Sequence, residues 1–158
     1  MYIVRVPRAT SPVGTVGFLL VKIGQATTER FAEKLAPLEL RPKHCGLLAA
    51  IAAAKTASQQ ELGRAMKVVP SAIVTMVDDL EEMGAVRRIE VVDDRRRYSI
   101  ELTDRGRSLL ARASQMAHDL DQEILAELTA TERAALERKL IAVAAALGVS
   151  SGRGPRDV

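Results

Sequence analysis

The chain has one cysteine, Cys45, and no tryptophan, and aromatic residues make up only 3% of its 158 positions. A lone cysteine rules out a disulfide framework within the chain and any Cys-x-x-Cys metal site, and it suits a reducing compartment. Histidine is nearly as scarce. His44 and His118 stand far apart, with no ligand-like spacing. No Ser-His-Asp context and no glycine-rich phosphate loop is present, so neither an enzyme nor a cofactor is expected. The shortage of aromatics argues against an all-β sandwich, whose strands favour aromatic and β-branched residues. No apolar run is long enough to span a bilayer, so no membrane partner is expected.

What is present suits a folded domain: 47% hydrophobic and 27% charged residues, with a net charge of +3. The Ala, Leu, Glu and Arg content leans towards helix. A basic balance is compatible with a polyanion partner, but the placement of the charges decides more than their sum. Near the N-terminus, Arg5 and Arg8 precede the apolar run Val13 to Val21, which imitates a secretory signal. Against that reading, Val16, Leu20, Ile23, Phe31 and Leu35 continue at helical spacing past any cleavage point. A cytoplasmic location is therefore expected.

The period of apolar residues sets the order of elements. Residues 1–12 read as an arm broken by Pro7 and Pro12, and a helix follows from about 13 to Ala36. Pro42 fits the first turn of a second helix, reaching about Ala54. Ser58-Gln59-Gln60-Glu61 is a capping box that opens a short third helix, with Leu62, Ala65 and Met66 on its buried side. Pro70 and Ser71 open a fourth, buried through Ile73, Val77 and Leu80, with Gly84 at its left-handed end. The period then changes to alternation over Val86–Val92 and Arg97–Leu102, around the charged tip Asp93-Asp94-Arg95-Arg96. Thr103 caps a long helix expected to reach Leu128, and Thr129-Ala130-Thr131-Glu132 opens the last one. Residues 148–158 read as a tail.

The fold class that results is mainly α with a small β-hairpin wing: a winged helix-turn-helix with N- and C-terminal dimerisation helices. The second helix of such a motif suits the DNA major groove, which admits one α-helix. Pro70, Ser71, Ala72, Val74 and Thr75 give it a small, polar outer face near its N-terminus, where free N–H groups also favour phosphate.

Two stretches resemble the MarR (multiple antibiotic resistance regulator) family. One runs from Ser58 through Pro70-Ser71-Ala72-Ile73-Val74-Thr75 to Arg88. The other is Asp93-Asp94-Arg95-Arg96-Arg97 followed by Ile100-Glu101-Leu102-Thr103-Asp104-Arg105-Gly106. The resemblance spans about residues 13–147 and implies a two-fold homodimer on double-stranded DNA. The DNA-binding core would be about 42–102, with dimerisation through 13–37 and 104–147. It also implies base reading around Pro70 to Thr75, a wing in which Arg96 enters the minor groove braced by Asp94, and Arg95 and Arg97 beside it. Ser58, Arg64 and Lys67 are the expected phosphate contacts. Many relatives bind a small aromatic or phenolic effector, and repression relieved by such a ligand is the function implied.

The chain departs from that pattern in its recognition helix. Relatives often carry Arg where Thr75 and Asp79 stand. Here Asp78, Asp79, Glu81 and Glu82 occur with no Lys or Arg on the helix. This keeps an alternative open, a winged-helix protein-interaction module with little DNA affinity. On the outer helices, Leu109, Leu120, Ile124, Leu136, Leu140 and Val143 are expected to meet Val16, Leu20, Ile23 and Phe31 across the two-fold axis. Cys45 is expected to be a small buried hydrophobe rather than a redox switch.

Overall fold

The computed structural model describes residues 12–55, 57–91 and 94–149; the side chains of Pro12 and of residues 91–97 lie outside that description. The expected arm, most of the expected tail, and Asp93 at the wing tip therefore fall outside the described residues. The elements in order are α1 (Val16–Leu35), α2 (Pro42–Ala54), β1 (Ala57–Ser58), α3 (Gln59–Met66) and α4 (Pro70–Glu82). They continue with β2 (Val86–Val91), β3 (Asp94–Leu102), α5 (Asp104–Ile124) and α6 (Ala130–Ala146). The chain divides into two compact units, up to His118 and from Asp119 onward.

In the first unit the core is built from one face of every element. Leu35 of α1, Leu47, Leu48 and Ile51 of α2, Leu62 of α3, and Ile73, Val77 and Leu80 of α4 are all buried. So are Val86, Ile100 and Leu102 of the sheet and Leu109 and Ala113 of α5. The spacing 73, 77, 80 is one stripe of a 3.6-residue period, which is why α4 turns its other stripe outward. Two positions differ from expectation. Ala65 is exposed, and Gly63 is buried in its place, because an eight-residue helix has room for one narrow stripe. Leu109, expected at a subunit contact, belongs to the core of this unit, so the first half of α5 completes the winged domain.

The sheet is antiparallel in the order β1-β3-β2, with Ala57 opposite Ile100 and Val86 opposite Leu102. The two-residue β1 has no periodic signal and was not expected. It gives β3 a second partner, so β3 is held along both edges at the base of the wing. A register irregularity between Glu90 and Val91 precedes the tip.

The helix borders follow local chemistry. The Ser58 hydroxyl accepts from the Glu61 N–H while Glu61 accepts from the Ser58 N–H. Lys67 closes α3 in the left-handed region at φ 54, and Val69 and Pro70 restart the chain as α4. Gly84, at φ 68, ends the α4 turn.

Thr103 and Gly106 then fasten α5 to that turn. The Thr103 hydroxyl donates to the Gly84 carbonyl at 2.6 Å, the Thr103 N–H donates to Ala85 O at 3.0 Å, and the Gly106 N–H donates to Thr103 Oγ1 at 3.0 Å. A Cβ on Gly106 would lie 1.9 Å from the Ala85 carbonyl oxygen. The Thr-x-x-Gly pattern therefore has a packing origin.

The second unit holds the end of α5 and all of α6. Thr129 caps α6 reciprocally with Glu132, and Arg133 donates to Leu128 O and to Gln122 Oε1. The chain leaves α5 at Ile124, one turn before the expected Leu128, and these bonds secure the turn that follows. Among the described residues, no helix is long and apolar enough to cross a membrane.

Gly106→Ala is expected to destabilise the folded chain by at least about 2 kcal/mol, because backbone rather than a flexible side chain must give way. Urea denaturation checks this. A midpoint unchanged from the parent would show that the α5–Ala85 contact is looser than described.

Candidate nucleic-acid interface

The helix-turn-helix is α3 and α4, joined by three residues, Lys67 to Val69. Hydrogen bonds from the Val68 N–H to Gly63 O and from the Ala72 N–H to Val69 O hold the turn. On α4, Ser71, Val74, Thr75 and Asp78 are exposed and fall on one stripe, while Ala72 is half-buried. Pro70 is exposed at the helix start. Of the residues expected to face DNA, the structure thus gathers Pro70, Ser71, Val74 and Thr75 on the open end of one helix, and Ala72 only in part.

Arg64 and Lys67 flank that surface. They line an open groove of roughly 670 Å³ together with Gln59, Gln60, Pro70 and Val74. Ser58 forms the expected cap: its hydroxyl donates to Glu61 Oε2 at 2.7 Å and accepts the Glu61 N–H. The hydroxyl proton is thus directed into the helix cap, the role that the capping box implied. Asp94, Arg95, Arg96 and Arg97 belong to β3 by their backbone, but their side chains lie outside the described part of the structure.

The acidic half of α4 is the feature that sequence periodicity could not interpret. Asp78 and Glu81 both receive the guanidinium of Arg88, which reaches back from β2. The Arg88 backbone N–H also donates to Glu81 Oε1 at 3.3 Å. Burial works against the charge on Arg88, but the hydrogen bond to Asp78 and the attraction of both carboxylates outweigh it, so its pKa is raised.

Asp79 turns the other way and meets α2. Its Oδ2 accepts from the Arg41 guanidinium and lies 3.2 Å from His44 Nε2. His44 is 2% exposed. Its Nδ1 accepts the Arg41 backbone N–H at 3.3 Å, which places the ring proton on Nε2, directed at Asp79. Burial lowers the His44 pKa, and the Arg41 guanidinium lowers it further, against the pull of Asp79. His44 is therefore a satisfied core histidine that joins two helices, whereas His118 is exposed.

Cys45 is half-buried, and burial pushes its thiol up to about 11, which disfavours the reactive thiolate. Among the described residues, no group of three or more His, Cys, Asp or Glu side chains could hold a metal ion.

Comparison with known proteins places this arrangement in a family. A MarR family model matches residues 38–97. The chain is 33% identical over 125 residues to an HTH-type transcriptional repressor of Mycobacterium tuberculosis, covering 79% of this chain and 90% of that one. It is 30% identical over 123 residues to the multiple antibiotic resistance protein MarR of Escherichia coli, covering 77% and 85%. Among solved structures, a mutant of E. coli MarR complexed with operator DNA superposes with a TM-score of 0.70 at 30% identity, over 81% of this chain and 92% of that one.

The His44 geometry predicts a pH dependence of stability. With its folded pKa below the ordinary 6.5, the unfolded chain takes up the proton first as pH falls. The contribution of His44 is thus fully present above about pH 6.5 and declines as pH falls through the folded value. Thermal unfolding from pH 7.5 to 5 should show a fall in Tm that is smaller in His44→Gln. Equal slopes in the two proteins would contradict the linkage.

Proposed function

The chain belongs to the MarR family, and from that premise we propose how it binds DNA. It is a sequence-specific DNA-binding transcription regulator, not an enzyme. We place a homodimer on duplex DNA, acting as a repressor in the cytoplasm. The observation that carries this reading is the exposed end of α4, with Ser71, Val74 and Thr75 outermost and Arg64 and Lys67 beside them. It has the width, the small side chains and the flanking cations that a major-groove helix needs. The competing reading as a protein-interaction module drew on the acidic helix. Pairing of Asp78, Asp79 and Glu81 with Arg88, Arg41 and His44 removes that motive.

The dimer contact is assigned to the outer helices. In α1, Val16, Leu19, Val21 and Ile23 are exposed, and in α6 so are Leu140, Ile141 and Val143. Apolar exposure on this scale is what a subunit interface covers. For the wing, Arg96 enters the minor groove, oriented by Asp94, and Arg95 meets phosphate, with Arg97 adjoining. An arginine there responds to groove width and potential more than to base identity. For the effector, the family resemblance implies a small aromatic or phenolic ligand; the open cavity of roughly 870 Å³ lined by Arg41, His44 and Arg105 also carries Glu39, Asp79 and Glu82, so its lining does not by itself select an acid.

Fluorescence anisotropy on duplexes spanning the DNA upstream of its own gene, at several salt concentrations, tests the reading. The bound species should contain two chains. Arg95→Ala should lower the salt slope by about one unit, and Arg96→Ala should weaken binding most on narrow A·T-rich grooves. Asp94→Ala should weaken binding although it removes a negative charge. Tighter binding by Asp94→Ala would refute the brace, and binding by single chains would refute the dimer.

A further inference from the structure

The outward stripe of α4 has an unusual inventory for a helix that reads bases. Ser71, Val74, Thr75 and Asp78 lie at spacings of three and four residues, all exposed. Val74 is 41% exposed, a large aliphatic side chain kept in water at the centre of the stripe. The Thr75 hydroxyl donates to the Ser71 carbonyl at 3.1 Å, so it turns only lone pairs and its methyl group outward. Asp78 holds the Arg88 guanidinium and has acceptors alone. The helix has no Lys, Arg, Asn or Gln.

This inventory decides which base edges fit. Guanine offers two acceptors, O6 and N7, to the major groove and is usually read by a bidentate Arg or Lys. Nothing on the stripe can do that. An A·T pair offers the adenine N6 amino group as a donor and, beside it, the thymine 5-methyl. Thr75 supplies an acceptor for the first, and Val74 an apolar surface for the second. A C·G pair offers an amino donor but no methyl, so it satisfies half of the stripe. The neighbouring cations Arg64 and Lys67, which share a groove with Val74, would contact phosphate on the same side and seat the helix deeply enough for methyl contact.

We propose that Val74 is a specificity-determining residue that reads thymine 5-methyl groups at A·T pairs in the major groove, with Thr75 accepting from the paired adenine. The assignment rests on the DNA-binding reading above and adds the base chemistry. Because the charged side chains near the stripe are tied to Arg88, Arg41 and His44, selection by this helix comes from methyl contact and acceptor geometry. The operator core opposite α4 is A·T-rich for that reason, independently of the minor-groove preference of the wing.

Duplexes selected by the dimeric protein from a random pool supply the probe. Each selected duplex is then synthesised with thymidine or with deoxyuridine, which pairs identically but lacks the 5-methyl. The parent protein should bind the uracil duplex about four-fold more weakly per contacted thymine, the value of one buried methyl group. Val74→Ala, at an exposed position that leaves the fold intact by circular dichroism, should bind both duplexes alike.

Equal affinity of the parent for the two selected duplexes would overturn the thymine assignment while leaving DNA binding in place. A discrimination that persists undiminished in Val74→Ala would assign methyl reading to another residue and overturn the role of Val74. Failure to enrich any sequence over random duplex would overturn the DNA-binding reading beneath it.

Discussion

Arg88 is the side chain on which the working surface depends. A helix carrying Asp78, Asp79, Glu81 and Glu82, with no cation of its own, would be repelled by a polyanion. Arg88 reaches from β2 to take two of those carboxylates, and Arg41 with His44 takes a third from α2. The pairings act in opposite directions on the same turn of α4. They offset charge on a helix whose rotation is set by its buried stripe, Ile73, Val77 and Leu80, so that Val74 and Thr75 point outward.

The ion pairs also reach the wing. Arg88 lies on β2, opposite Ile100 of β3, so the strand that carries the clamp is also one of the two strands of the hairpin. β1 borders the other edge of β3 at Ala57 and Ser58, and Ser58 in turn caps α3. Thr103 and Gly106 close the arrangement by tying the start of α5 to Gly84 and Ala85. α4, the base of the hairpin and the start of α5 are thus fastened within a few residues of one another. Small polar groups fasten these borders above the apolar core that the same elements share.

Much of this was legible in the sequence, and what was not has a common cause. Capping boxes at Ser58 and Thr129, the proline starts at Pro42 and Pro70, and the left-handed Gly84 are local signals, and each marks its border. The burial of Ile73, Val77 and Leu80 follows from their spacing alone. The Arg41–His44–Asp79 cluster joins residues up to 38 apart in sequence, and Arg88 pairs across a change from helix to strand. Periodicity has no access to such pairs. For Ser58 the cap was legible, but only geometry shows that its hydroxyl proton is directed at Glu61. Leu109 was misplaced because an apolar stripe looks the same whether a core or a second chain covers it.

Duplex affinity at fixed salt of Arg88→Met tests the clamp most directly, with Arg87→Met as control. Both substitutions remove one positive charge, one residue apart, but Arg87 pairs with Glu101 on the sheet and not with α4. If the clamp governs how α4 meets DNA, Arg88→Met should lose at least about ten-fold more affinity than Arg87→Met, roughly 1.4 kcal/mol. Adding Asp78→Asn and Glu81→Gln to Arg88→Met should restore most of the loss. Equal losses in the two single variants, or a triple variant as weak as Arg88→Met, would contradict the account.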